Sequence, residues 1–302
     1  MTAFNDRDVM LGALMRALPY IQRYRDKTFV LQVEGAFCSD ARAQKRLAEQ
    51  IGVLRALDVR VVLIHGFGPQ LDLLAERMNI GDRFVGGERV IDGVALDLQE
   101  MACAGMNSVE LVAACRQAGV PAVGLTGIDA GLITARQRKA ASAPREGERQ
   151  DFSGEVVGVD GAILDTLLKA AFVPVICPLA ADEHGQRLSL DADLVSAEIA
   201  VAMRAEKVVY LTERRGLWSD PGNPDSLIAY VDLEGLESLR TRGALDGAMQ
   251  SKARAAARAL RGGVQRVHLI GYQQHGSLLA EIFTNEGAGT LIVADASQAS
   301  PN

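Results

Sequence analysis

The chain has 302 residues, 48% of them hydrophobic and 23% charged, the proportions of a folded globular protein and not of a disordered one, and this length suits two lobes better than one compact core. Lysine and arginine number 32 against 38 aspartates and glutamates, a formal charge of −6, and without a basic block general nucleic-acid binding is a poor fit. No apolar run reaches the roughly 18 residues that span a bilayer.

The chain opens with MTAFNDRDVM, which lacks the basic-then-apolar order of a secretion signal. Within residues 7–21, Leu11, Leu14, Leu18 and Ile21 form one apolar stripe at helical spacing. Pro19 is expected to kink or end that helix before its last turn. The stripe either covers the core of its own chain or docks on another subunit. From Thr28 onward, short apolar runs alternate with helical patterns. FVLQV (29–33) precedes a helix bearing Leu47, Ile51 and Leu54, and VRVVLI (59–64) runs into a glycine turn and another helix. PAVGL (121–125) follows a helix over 93–118, PVIC (174–177) one over 161–171, KVVYLT (207–212) one over 192–204, and RVHLI (266–270) one over 247–261. Apolar strand, helix, apolar strand predicts an α/β fold with a mostly parallel sheet covered on both faces. Residues 139–151 are charged, with a proline and a glycine, and read as an exposed loop or hairpin excursion. Residues 178–190 read as a polar turn or hairpin and mark the expected boundary between lobes. The tail after Val293 is small, polar and expected to fray.

The four cysteines, Cys38, Cys103, Cys115 and Cys177, are scattered without a CxxC pair, which predicts reduced thiols in a cytoplasmic protein. The sequence has no P-loop, no nucleophile elbow and no HExxH, and its four histidines lack ligand spacing, so no protein-held metal is expected. What remains is a set of glycine turns after strands: Glu34-Gly35, His65 to Gly68, and Gly124 to Gly131. Strand ends of a parallel sheet lie along one edge with helix N-termini, whose unpaired N–H groups attract anions. Three such turns in register, with Arg89 and Lys252 within reach, point to an anion or phosphate site. Asp191 and Asp193 stand at a helix start, where capping accounts for one of them. The cysteines and Trp218 are assigned to packing.

FVLQVEG, VVLIHGFGPQ, RFVGGERVID, VGLTGIDAGLI, GEVVGVD, SLDADLVSAEIA, AEKVVYLTERRGLW, GAMQSK and GGVQRVHLI…LLAEIFTNEGAGTLI occur in the order found in the N-acetyl-L-glutamate kinases. By this resemblance, which runs from about Leu11 to Val293, the chain is identified as a member of that family. It is similar also to the kinase-like arginine-binding half of bacterial N-acetylglutamate synthases. The resemblance implies the amino-acid kinase fold, a three-layer αβα open sandwich of two lobes. Residues 1–25 would serve oligomerisation, 26–182 would hold the acyl amino acid, and 183–302 the nucleotide with an arginine site. It implies phosphorylation of the side-chain carboxylate of N-acetyl-L-glutamate, or a related acyl amino acid, by ATP with Mg2+. Lys252 and Asp193 match catalytic positions, and Gln32 stands where the family has a second lysine. Gly66, Phe67, Gly68, Arg89 and Ser189 match substrate-binding positions. Gly35, Thr212, Glu213 and Lys252 match nucleotide-binding ones. Glu34 and Phe67 each replace a glycine of the family's turns, and Asp191 replaces an asparagine. Tyr20, Lys207, His268, Glu281 and Gly287 match an effector pocket for L-arginine as inhibitor, and the stripe with Pro19 resembles the helix that joins dimers of arginine-inhibited members into hexamers. Two readings stay open: an acetylglutamate kinase, its activity weakened by the lost lysine, or an arginine-sensing regulatory protein without catalysis.

Overall fold

The computed structural model describes residues 6–81, 84–85, 88–138, 150–284 and 287–295. The chain begins with α1 (Asp6–Tyr24), β1 (Thr28–Val33), a short 3-10 turn (Ala36–Ser39), α2 (Ala41–Ala56), β2 (Arg60–His65) and α3 (Gly68–Arg77). A two-stranded excursion, β3 (Phe84–Val85) and β4 (Glu88–Arg89), leads to α4 (Gly93–Glu100), a π-helical stretch (Met101–Asn107) and α5 (Ser108–Gln117). There follow β5 (Ala122–Thr126), β6 (Ile133–Gln137), β7 (Gly154–Val159), α6 (Ala162–Lys169), β8 (Val173–Cys177), β9 (Leu179–Ala181) and β10 (Arg187–Ser189). The last third comprises α7 (Ala192–Ala202), β11 (Lys207–Thr212), β12 (Tyr230–Asp232), α8 (Leu233–Thr241), α9 (Gly247–Arg261), β13 (Arg266–Gly271), α10 (Ser277–Phe283) and β14 (Gly289–Val293).

Eight strands form the central sheet in the order β12-β14-β13-β11-β1-β2-β8-β5, parallel throughout except where β14 runs against β13. Every residue of β1, β11 and β13 is buried, which is why their apolar residues occupy both faces instead of alternating with exposed polar ones. Their side chains alternate between two cores. Val30, Val208, Tyr210, Val267 and Leu269 face one side, with residues of α7 and α9. Phe29, Leu31, Val33, Val209 and Leu211 face the other, with residues of α2 and α10. The result is the expected αβα sandwich. Strand order reverses at β1, which pairs in parallel with both β2 and β11, and a crevice outside the carboxyl ends of strands at such a point is where open α/β sheets bind ligands.

Several expectations need correction. Pro19 neither ends nor shortens α1, which runs through it to Tyr24. Proline there removes the bond to the Met15 carbonyl, and Met15 is exposed, so water can serve that group. Leu11, Leu14 and Leu18 are 50%, 60% and 41% exposed, so these three do not cover the core of their own chain, while Ile21 is half-buried. The single helix expected over 93–118 carries the π stretch in its middle. Segment 178–190 is a hairpin, β9 against β10, but much of it is buried, within a second sheet ordered β10-β9-β6-β7. Positions 139–149 of the predicted loop and 296–302 of the tail lie outside the described residues. Among the described residues, no helix is long and apolar enough to cross a membrane.

Candidate functional site

Two of the three glycine turns meet. Gly35 follows β1, and a Cβ built on it would lie 2.7 Å from the Gly68 nitrogen, 2.8 Å from Pro69 Cδ and 2.9 Å from the Phe67 nitrogen. A Cβ on Gly66 would lie 2.8 Å from the Gly35 nitrogen. Only glycine lets the turns after β1 and β2 touch backbone to backbone. Buried amides lock the junction: Gln70 Nε2 donates to the Gly35 carbonyl at 3.1 Å, and Asn107 Nδ2 donates to the Gly66 carbonyl at 2.9 Å and to Gln70 Oε1 at 3.1 Å. The third turn does not join them. Gly127 N–H donates to the Leu179 carbonyl at 2.7 Å, and a Cβ there would meet that oxygen at 2.5 Å, so this glycine serves contact with β9.

Lys252 is buried on α9, its side chain 4% exposed, and is not the solvated lysine that a helix face would make of it. Asp246 caps the helix, accepting from Met249 N–H at 3.0 Å. The ammonium lies 3.3 Å from Asp193 Oδ2 and 3.0 Å from Glu34 Oε1. Asp193 is in the first turn of α7, packed beside α9. Asp191 caps α7, accepting from Asp193 and Leu194 N–H, and its other oxygen accepts from Ser251 Oγ at 2.6 Å. Ser196 Oγ and Tyr210 OH donate to the Asp193 carbonyl at 2.6 and 3.3 Å. Glu34 Oε2 accepts from Glu213 N–H at 3.1 Å, at the end of β11. Thr212 precedes it, its hydroxyl donating to the Arg214 carbonyl.

Burial opposes the charge on Lys252, but the two carboxylates outweigh it and hold the ammonium above its ordinary value. Burial pushes the Asp193 carboxyl up to about 6; Lys252 pulls it down, and Asp191 and Glu34 push it up again. One ammonium is shared by two carboxylates. Gln32, on the same face of β1 as Val30, is buried. Its Nε2 donates to the Val33 carbonyl at 3.2 Å, and its Oε1 accepts from nothing among the described residues. His65 is wholly buried, its Nδ1 3.1 Å from the Gly66 carbonyl, and burial lowers its ring to about 4.

Phe67 caps no N–H of α3. Half-buried, it packs on Ile91, Leu96, Cys103, Cys177 and Leu179, where Phe152 also packs. Ser189 N–H donates to the Phe152 carbonyl at 2.9 Å, which brings Ser189 to the same region. Gly68 opens α3, and a Cβ there would meet nothing within 4 Å. Arg89 lies on β4, and its side chain is outside the described residues.

The second predicted cluster assembles at the other ends of β11 and β13. His268 Nδ1 lies 2.6 Å from Glu281 Oε1, and Glu281 Oε2 accepts from Ala288 N–H. Gly287, at φ 62°, places a potential Cβ 3.5 Å from that oxygen. Lys207 is buried with its ammonium 4.6 Å from the Tyr24 ring centroid, and Tyr20 stacks on Tyr24 at 6.4 Å. Burial, then Lys207, lowers His268 to about 4, so the neutral ring donates from Nδ1 to Glu281 and its Nε2, unpartnered among the described residues, is an acceptor. Burial and Arg266 lower Lys207 to about 7, against the pull of Glu281. Burial raises the Glu281 carboxyl, but the bonds from His268 and Ala288 bring it below its usual range.

Sequence reasoning passed over the amides Gln70 and Asn107, the hydroxyls of Ser196, Tyr210 and Ser251, the ring of Tyr24 and the cation of Arg266. None stands in a recognisable spacing; only the topology brings them in. Trp218, assigned to packing, carries the Arg214 guanidinium over its ring at 4.7 Å. The cysteines are free and buried. Among the described residues, no three His, Cys, Asp or Glu side chains gather to hold a metal.

A model of the amino acid kinase family matches residues 27–271. The acetylglutamate kinase of Myxococcus xanthus (strain DK1622) is 40% identical over 293 residues, 95% of each chain. N-acetylglutamate synthase from Neisseria gonorrhoeae, complexed with coenzyme A and N-acetyl-glutamate, superposes at a TM-score of 0.82 and 29% identity, over 98% of this chain and 64% of that one. This chain therefore spans just under two thirds of the synthase. The same synthase complexed with coenzyme A and L-arginine superposes at a TM-score of 0.79 and 28% identity, over 98% and 66%.

Proposed function

Because this chain belongs to the amino acid kinase family and is acetylglutamate kinase-like, we propose that it phosphorylates the side-chain carboxylate of N-acetyl-L-glutamate, a step of arginine biosynthesis. The observation that carries the reading is the buried Lys252–Asp193 pair at the crevice where strand order reverses. ATP, with Mg2+, would supply the γ-phosphoryl group. The residues fit it: Lys252 is a buried cation at the crevice, and the Glu213 backbone N–H at the end of β11, which Glu34 Oε2 now takes, is a second donor beside it. Lys252 would hold a phosphoryl oxygen as negative charge moves from the attacking carboxylate to the leaving diphosphate, and Asp193 fixes the ammonium in place. Gln32 contributes at most a neutral amide where a second cation would do more. Gly68 leaves room for substrate against the backbone, Gly66 sets that turn against Gly35, and Arg89 and Ser189 would meet the acyl amino acid with Phe67 narrowing its pocket. The sheet supports a division near 182, since β1, β2, β5 and β8 make one half and β11 to β14 the other. Positioning and charge do most of the work in phosphoryl transfer. Trapping acyl phosphate as hydroxamate tests the reading. Product with N-acetyl-L-glutamate is expected, and none at high protein concentration, with close analogues included, removes it.

A second reading has its own observation. The Lys207, His268 and Glu281 cluster offers a carboxylate and a bare imidazole nitrogen to a guanidinium, and an ammonium to a carboxylate, which are the two ends of L-arginine. Arginine would act there as inhibitor, or as the sole ligand if catalysis is lost. The exposed α1 stripe would join chains into a dimer or hexamer. Calorimetry should show arginine binding that Glu281→Ala abolishes; no heat at millimolar arginine would end this reading.

A further inference from the structure

We propose that Glu34 is an internal anion that occupies the phosphate cradle and competes with the nucleotide's phosphate chain for it. The inference rests on the reading of the crevice as the phosphoryl-transfer site and adds a determinant of affinity within it. Both carboxylate oxygens are engaged by the groups that a phosphate oxygen would seek there. Oε1 takes the Lys252 ammonium at 3.0 Å, and Oε2 takes the Glu213 backbone N–H at 3.1 Å. The other donors nearby do not compensate. Asp246 takes the Arg214 guanidinium at 2.6 Å, and Gln32 spends its amide on the Val33 carbonyl.

The carboxylate is held from a rigid base. The Glu34 carbonyl accepts from Phe37 N–H at 3.1 Å and the Gly35 carbonyl from Cys38 N–H at 3.1 Å, which open the 3-10 turn. The next residue is the glycine wedged against Gly68, Pro69 and Phe67. Glu34 cannot leave by moving its backbone, so its side chain must swing out before phosphate oxygens reach Lys252. Until then it ties the end of β1 to the end of β11 and to α9, across the line where the two halves of the sheet meet. A ligand that must displace a paired carboxylate loses that pairing energy from its own affinity.

The test measures binding of tripolyphosphate, and of AMP-PNP with Mg2+, to the full chain by calorimetry, with Glu34→Gln and Glu34→Ala beside the unaltered protein. Glutamine keeps the shape and an acceptor for Glu213 N–H but removes the charge, so a purely structural role predicts little change. We expect both variants to bind tripolyphosphate at least tenfold tighter, and Lys252→Met in the Glu34→Gln background to erase the gain. Should Glu34→Ala not fold, Glu34→Gln decides alone. Equal or weaker binding by Glu34→Gln, or no binding by any form, overturns the proposal. The outcome is separable from the kinase reading. A chain that forms no hydroxamate while Glu34→Gln gains tripolyphosphate affinity loses its catalytic function and keeps this inference. A chain that forms hydroxamate while Glu34→Gln gains nothing does the reverse.

Discussion

Replacing Gln32 with lysine should raise the rate of acyl-phosphate formation. Position 32 lies on the face of β1 turned toward α7 and α9, and its amide oxygen has no partner among the described residues. A cation about 4 Å from a phosphoryl oxygen is worth on the order of 4 kcal/mol at an effective dielectric of ~20. That corresponds to roughly three decades in rate. Glu34 claims part of that charge, so the expected gain in kcat is about a hundredfold, read in the hydroxamate assay. The added ammonium is repelled by Lys252 but attracted by Glu34 and Asp193, which now share one cation between them. The fold should therefore accept it, with the thermal midpoint falling by only a few degrees. Gln32→Met matches the bulk without the charge and should gain nothing. A folded Gln32→Lys protein with unchanged kcat would refute the argument that the missing cation limits this site.

Asp193 titrates near 6 because of burial; below that pH it is protonated and no longer holds Lys252 as a carboxylate. The kcat/KM profile should therefore fall on the acid side with an apparent pKa of about 6, and Glu34→Gln should shift that limb to lower pH by removing a like charge. Gly35→Ala drives a Cβ into backbone atoms at 2.7 and 2.9 Å. It should cost about 1–3 kcal/mol in urea unfolding and abolish hydroxamate formation by separating the two turns; a stable, active variant would show that their contact is dispensable.

The central sheet could be read from sequence because its strands are buried on both faces, so that FVLQV and KVVYLT need no periodicity to be recognised. The second sheet escaped that reading. Its strands β9 and β10 are three residues each, and Arg187 and Ser189 interrupt their apolar character. The candidate site was legible in part, for a physical reason. Gly35 and Gly66 announce themselves by residue type, since nothing else tolerates such contact. Charges at 34, 193 and 252 are visible as letters, but their pairing depends on β11 lying beside β1 and on α9 packing against α7, which no local pattern encodes. The turn at Gly127 misled because a glycine that accommodates β9 looks the same as one that accommodates an anion.

The two buried lysines differ in a way that yields one more prediction. Lys252 has two carboxylates within 3.3 Å and stays charged. Lys207 is buried with the Arg266 and Arg23 cations nearby, and together these outweigh the Glu281 and Glu206 carboxylates, so it titrates near 7. At pH 8 it is mostly neutral in the free protein. A ligand carboxylate set against it would favour the ammonium, and binding would then draw a proton from solvent. Arginine carries such a carboxylate, so at pH 8 its observed binding enthalpy should vary with the ionisation enthalpy of the buffer. The slope should correspond to uptake of a fraction of one proton. At pH 6, where Lys207 is already charged, the slope contributed by Lys207 should shrink toward zero. Binding heat that is the same in all buffers at pH 8 would mean that the carboxylate does not meet Lys207, and the orientation of arginine between Lys207 and Glu281 would have to be abandoned.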